Sequence, residues 1–361
     1  SVLMTQTGGV CRASNYVGFI RKALRDAGYG QVPVIAMSAQ GIEKNSGFTY
    51  SPAMLLRGLL AILYGDLIMR LLHRVRPYEK IKGSANLLAQ QWIERCSRAA
   101  ARGSIREYNR LLPQMVQDFA GLEIIRGLTK PKVGVVGEIY VKYHPLANNN
   151  LVEILEAEGA EAVVPDMTDF LLYSSYGLIF GHKYLSKGFW PRVGSEFVIR
   201  LIEWFRQPMR RALRQSARFS PPDTIYQLIR EAKRLVSLGN QYGEGWLLTA
   251  EMLRLIQGGA ENIVCIQPFG CLPNHITGKG VIKAIRDLYP QANIAPIDYD
   301  ASASEVNQLN RIKLMLAKAP GPLKSHSAAA AKKALLAATK GVPRAPYQLP
   351  VQGKGSQPMH L

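Results

Sequence analysis

The chain has 361 residues, 47% of them hydrophobic and 20% charged, with a formal net charge of +19. That length supports two domains and a sizeable core, and the balance is that of a soluble globular protein. The longest apolar run, residues 55–69, contains Arg57 and Asp66 and falls short of the ~20 clean residues of a membrane span, so a buried helix is expected there and no membrane partner.

Four cysteines, two of them beside glycine loops, suit a reducing compartment and metal or redox use better than a disulfide framework. The cytoplasm is the expected location. Much of the positive charge lies in residues 192–218 and beyond Lys318. Such a basic face suits an acidic partner, a charged cofactor or plain solvation. No helix-turn-helix, zinc-finger or RNA-binding signature accompanies it, so nucleic acid is not the expected partner.

In chain order, residues 2–6 read as a strand that empties into Thr7-Gly8-Gly9-Val10-Cys11-Arg12. The chain opens at Ser1 inside this apolar run, without an initiator methionine, and so reads as a piece whose upstream part is missing. A helix over 16–27, ended by Gly28 and Gly30, and a strand over 32–37 complete a β-loop-α-β unit. The glycine pair could cradle phosphate, but neither dinucleotide nor P-loop spacing is met. Cys11, at a helix start beside Arg12, is favoured as a thiolate. Alone it would read as a small structural residue; a second loop cysteine, Cys271, turns the reading towards a cluster ligand.

Helices follow over 51–76 (opened by Ser51-Pro52), 84–101 and 104–118, with Cys96 a small apolar residue on the second. Lys130-Pro131-Lys132 marks a boundary. A strand over 133–136 ends at Gly137-Glu138, a helix covers 151–158, and a strand over 162–164 ends at Pro165-Asp166. Helical patterns fill 170–185, 193–217, 223–238 and 245–257. The apolar run at 263–266 suits a strand buried on both faces. It breaks at Pro268 and Gly270, holds Cys271 in a loop where its sulfur can meet a metal or substrate, and passes into a helix over 281–288. A strand over 293–297 ends at Asp298, and a helix over 305–317 closes the domain. Four strands joined by helices predict a parallel α/β sheet whose rim carries Glu138, Asp166, Cys271 and Asp298.

The expected organisation is thus a partial α/β domain with a helical extension (1–129), an α/β domain with a helical insertion over about 168–258 (130–318), and a mobile, disordered basic tail (319–361) with a short helix over 328–339.

Four stretches carry a resemblance: TGGVCRASNY (7–16), GEIYVKYHPLANNNLVE (137–153), QPFGCLPNHITGKG (267–280) and IDYDASASEVNQLNR (297–311). Over roughly residues 1–318 the chain resembles the dehydratase-like part of the CoA-substrate-specific enzyme activase-related proteins, relatives of the 2-hydroxyacyl-CoA dehydratases and double-cubane-cluster proteins. The resemblance implies two flavodoxin/Rossmann-like parallel-sheet domains around an iron–sulfur cluster ([4Fe-4S] or double-cubane). It also implies an ATP-dependent activase partner of the BadF type, an upstream dehydratase-like segment, and low-potential electron transfer to an acyl-CoA or another hard-to-reduce substrate.

Carried onto this chain, the resemblance makes Cys11 and Cys271 cluster ligands, with Cys265 a weaker candidate. Arg12 offsets cluster charge, and Asn274 and Lys279 contact cluster or substrate. Glu138, His144 and His275 are the candidates to move protons. The plainer alternatives are a turn-capping carboxylate, helix-cap residues, a solvated lysine and surface histidines. Three departures bear on the ligand set. The family's upstream Cys-x-Pro segment falls outside this sequence, Ser174 stands where a cysteine is expected, and no nucleotide site accompanies the chain. A non-catalytic cluster-holding or docking module of a larger reductase is the competing expectation.

Overall fold

The computed structural model describes residues 1–6, 11–37, 49–186, 188–300 and 302–319. Residues 7–10, the side chains of Thr5 and Arg12, and residues 320–361, with the expected tail and its helix, lie outside those described. Among the described residues no helix is long and apolar enough to cross a membrane.

β1 (Val2–Thr5) and β2 (Val34–Met37) pair in parallel, Val2 against Val34, and α1 (Tyr16–Asp26) connects them. Three helices follow: α2 (Pro52–Val75), α3 (Ser84–Arg102) and α4 (Ile105–Gly121). Their ends follow from local chemistry. Ser51 accepts a bond from the Met54 N–H at 3.1 Å ahead of a first-turn proline, and Ser104 does the same for Glu107 at 3.2 Å. Leu60, Leu63, Leu67 and Leu71 of α2 pack with Ala89, Trp92 and Cys96 of α3 and with Leu111, Met115 and Phe119 of α4. Cys96 is the core residue its helical setting predicts.

The second sheet is built from β3 (Lys132–Gly137), β4 (Glu161–Val163), β5 (Asn262–Gln267) and β6 (Asn293–Asp298), all parallel, in the order β4-β3-β5-β6. Two short helices, α5 (Ile139–Tyr143) and α6 (Leu151–Ala157), join β3 to β4. The long β4-to-β5 connection holds α7 (Met167–Tyr184), α8 (Phe189–Arg214), α9 (Ile225–Ala232) and α10 (Trp246–Gln257). Then come α11 (Ile282–Leu288) and α12 (Glu305–Ala317). Side chains of α6 and α12 cover one face, against Val133, Val135, Val264 and Ile266; α10 and α11 cover the other, against Val136, Ile263 and Cys265. Burial on both faces explains why these strands are apolar throughout. The direction of strand addition reverses between β3 and β5, which opens a crevice at their carboxyl ends.

The α7–α10 insertion does not stand apart from the first helices. Ile199 and Ile202 of α8 pack with Tyr173 of α7, Leu228 of α9 and Trp246 of α10, whereas Phe205, Met209 and Leu213 enter the α2–α4 core. The boundary at Lys130 therefore lies in a surface connection, but the cores on either side share α8. Buried charge reinforces the junction. Arg206 of α8, fully buried, lies 2.9 Å from Asp169 and 3.3 Å from Asp166, and Asp166 also binds Arg70 of α2 at 2.6 Å. Asp66 of α2 accepts the Met167 and Thr168 N–H groups at 2.8 and 2.9 Å, capping α7. Burial, then the Asp166 charge, push its carboxyl up to about 7.

Arg206 is the counter-charge of two buried carboxylates. Arg206→Leu is expected to destabilise the fold by about 3–5 kcal/mol, and adding Asp166→Asn and Asp169→Asn to recover much of that loss. Urea unfolding of the single and triple variants checks it; a single-variant loss below ~1 kcal/mol would mean the ion cluster contributes little.

Candidate functional site at the crevice between two strands

The crevice is shaped first by backbone. At Gly137, the last residue of β3, φ is +147°, and a Cβ would stand 1.8 Å from the Ile266 carbonyl oxygen of β5. Only glycine tolerates that approach. The chain then leaves the sheet, the Glu138 N–H donating to the Ile266 carbonyl at 3.0 Å. Glu138 itself is buried and accepts the Val141 N–H at 2.8 Å, so it caps α5.

On the β5 side, Pro268 and Gly270 turn the chain and Cys271 follows, its N–H donating to the Pro268 carbonyl at 3.3 Å. A single wide helical turn, Asn274–Lys279, comes directly after it. Cys271 is accordingly buried, not presented in an open loop, because this turn folds back over it. The fully buried Asn274 amide donates to the Cys271 Sγ at 3.1 Å and to Glu244 at 3.2 Å.

Glu244 closes the arrangement from the loop before α10. One carboxylate oxygen accepts the Ile139 N–H at 2.8 Å and the other accepts from Asn274, so one side chain ties the loop after β3 to the loop after β5. It stands between Gly243 (φ +59°) and Gly245 (φ +45°). A Cβ on Gly243 would lie 2.8 Å from Pro273 Cγ and 3.9 Å from the Cys11 Sγ. Cys11, buried at the start of the short turn Arg12–Asn15 ahead of α1, thus meets the Cys271 loop across this glycine.

The electrostatics follow from burial. Burial and then the neighbouring Glu244 charge push Glu138 up to about 7, and burial also raises Glu244. The Cys271 thiol is pushed up to about 11 by burial, against the opposing pull of the Asn274 N–H groups. Tyr173 of α7, near both Glu244 and Cys11, is raised far above its ordinary value by burial. Its hydroxyl and the Asn274 Oδ1 are buried without a hydrogen-bond partner among the described residues. Polar atoms so placed call for water or a ligand.

The crevice opens beside a cavity of about 480 Å³, lined among others by Tyr16, Phe19, Tyr140, Leu146 and Tyr299. Tyr16 meets Tyr140 edge-on, ring centroids 5.9 Å apart, and its hydroxyl reaches Glu138 at 3.5 Å.

Of the residues singled out from sequence, Cys271, Asn274 and Glu138 gather around Glu244, and Cys11 lies across Gly243 from the Cys271 loop. The others lie at the edge of this cluster or outside it. His144 is exposed and stacked on Tyr140 at 4.9 Å. His275 is exposed with its ring against the Cys271 carbonyl, 2.8 Å away, and Lys279 is paired with Asp298 at 2.8 Å. Cys265 faces the α10–α11 core, 3.1 Å from where a Cβ of Gly278 would stand; burial pushes its thiol up to about 12. The side chain of Arg12 lies outside the described residues. Glu244 escapes a sequence reading that starts a helix at residue 245; the available signal is a lone carboxylate between two glycines.

Among the described residues no group of three or more His, Cys, Asp and Glu side chains is disposed to hold a metal ion. Compared with known family models, curated proteins and solved structures, the chain finds no significant match in any of the three.

Two expectations test the crevice. The folded protein holds the Glu138 proton more tightly than the unfolded chain, so this group's contribution to stability is full below its ordinary value of 4.5 and is lost as pH rises to about 7. Thermal unfolding from pH 4 to 8 is expected to show that loss, up to roughly 3 kcal/mol. In Glu138→Gln the slope flattens; an unchanged slope would reject the assignment. Gly243→Ala combines an unfavourable φ with overlap on Pro273 and is expected to destabilise by about 1–3 kcal/mol. Faster labelling of Cys271 by a thiol reagent would accompany it, and a native labelling rate would show that the two loops do not depend on this contact.

Proposed function

We propose that the chain is the cluster-binding part of a dehydratase-like redox system of the CoA-substrate-specific activase type. On this reading an ATP-hydrolysing activase of the BadF type delivers low-potential electrons, and the electron acceptor is a CoA thioester or another hard-to-reduce substrate. Cys11 and Cys271 are its thiolate contribution to a [4Fe-4S] or double-cubane cluster. The sheet β4-β3-β5-β6 is then a flavodoxin-like domain, the β1–β2 unit part of a second one, and the setting a reducing cytoplasm.

The observation that supports the reading is the approach of Cys11 to the loop that bears Cys271, with the Cys11 Sγ and Pro273 both within 4 Å of where a Cβ of Gly243 would stand, beside the strand-order switch. Cysteine thiolates are the usual ligands of such clusters. The described residues do not by themselves fit a whole cluster: Cys265 is turned into the core and no third ligand joins the pair. The missing thiolates then come from an upstream dehydratase-like segment or a partner chain. The residues of this chain around that half-site hold protons and shape: Glu138 titrates where it can give or take a proton near neutral pH, and Asn274 orients the Cys271 sulfur.

The incomplete donor set favours a second reading, a docking or cluster-holding module of a larger reductase without a reaction of its own. Anaerobic preparation of the chain alone and with the upstream segment, followed by iron and sulfide analysis and EPR, tests both. Iron is expected only with the completing segment, lost in Cys11→Ala and Cys271→Ala, and retained in Cys96→Ala. An acyl-CoA-dependent change in the spectrum favours the enzyme over the module. No iron in any combination would reject the cluster.

A further inference from the structure

α8 carries two apolar faces, and among the described residues only one is covered. Ser195, Ile199, Ile202 and Arg206 point inward and are buried. On the opposite side Trp190, Val193, Phe197, Leu201 and Trp204 are 79%, 39%, 65%, 36% and 57% exposed. At 100° per residue these five lie within about 40° of Phe197 on the helical wheel and form one continuous stripe.

We propose that this stripe is the two-fold interface of a homodimer, with α8 of one copy lying antiparallel on α8 of the other. The first argument is size. Large aromatic side chains present about 150–250 Å² each, so with Phe189 (55% exposed) the stripe amounts to an apolar surface on the order of 700 Å². Monomers rarely expose a patch beyond about 300–600 Å², and a standard interface buries about 800 Å² per partner.

The second argument is the order of the residues, which selects a second copy over another occupant. The stripe reads nearly the same in both directions about Phe197: Trp190 and Trp204 stand two helical turns away on either side, Val193 and Leu201 about one turn away. A two-fold axis through Phe197 therefore sets Trp190 of one copy against Trp204 of the other, and Val193 beside Leu201. Isologous contacts require this self-complementarity. Gly194, beside the stripe, has open space over its Cα and allows the helices to approach closely. The same operation brings exposed Arg200 of one copy to the flank that bears the Arg192–Glu196 ion pair of the other, so the rim carries charges of both signs. With +19 on each copy, raising the ionic strength strengthens association by screening the net repulsion.

Sedimentation of the full chain over a range of concentrations tests the interface. A monomer–dimer equilibrium is expected, with Phe197→Glu raising the dissociation constant at least ~100-fold, as for a central hot spot counted on both sides of the axis. Phe197 is exposed, so the melting temperature of this variant stays close to that of the parent. Under mild oxidation Phe197→Cys is expected to form a disulfide-linked dimer in high yield, because residue 197 faces itself at the axis, while Leu314→Cys, exposed on α12, does not. A chain that stays monomeric to ~100 µM, a dimer indifferent to Phe197→Glu, or open-ended aggregates would each overturn the proposal. So would a monomer that uses the stripe to bind lipid vesicles, which would mark α8 as a membrane-surface helix.

Discussion

A carboxylate taken out of water must find donors for its oxygens or give up its charge. Glu244 finds one donor on each side of a crevice, the Ile139 N–H and the Asn274 amide. The loops after β3 and β5 would otherwise diverge, since the strand order reverses between them. Bridged by Glu244, they hold Glu138, Asn274 and Cys271 in one cluster, and Gly243, lacking a side chain, leaves room for Cys11 from the β1–β2 unit. The positions of the candidate site residues depend on this single side chain more than on any one strand.

The same demand organises the junction between helices and sheet. Arg206, Arg70, Asp166 and Asp169 form a buried cluster where α2, α7 and α8 meet the end of β4, and Lys142 pairs with Glu251, both buried, at 3.0 Å. Such pairs add little net stability over apolar residues, but they are unforgiving of misplacement. They therefore fix which helix end sits over which strand end. α8 shows the division most clearly, with an inner face committed to two cores and to Arg206 and an outer face that presents tryptophans to solvent.

Two buried cysteines stand here with two carboxyls of raised proton affinity, which makes an unusual half-site. The carboxyls repel one another and are poorly solvated, which keeps a proton within the crevice near neutrality. The thiols are buried, so Cys271 is protonated unless a cation or metal compensates its charge. In such a site a thiolate forms only where a nearby cation or metal offsets its charge.

Much of the architecture was legible from local pattern. Apolar runs bounded by glycine and proline marked the six strands of the described residues, serine caps and glycine stops marked the helices, and the alternation of strands and helices ordered Glu138, Asp166, Cys271 and Asp298 along one rim. The five-residue α5 was not legible, because it is held by the Glu138 cap and by tertiary contacts, and 223–238 gave a shorter helix than its pattern predicted. What only the tertiary structure decided were relations between distant segments: that Cys11 meets the Cys271 loop while Cys265 turns into the core, that Glu244 joins two loops, and which of two apolar faces of α8 is buried. Periodicity reports that a helix or strand has an apolar side, since that depends on spacing along a few turns. It carries no record of what that side will touch, because contact partners are set by the packing of the whole chain.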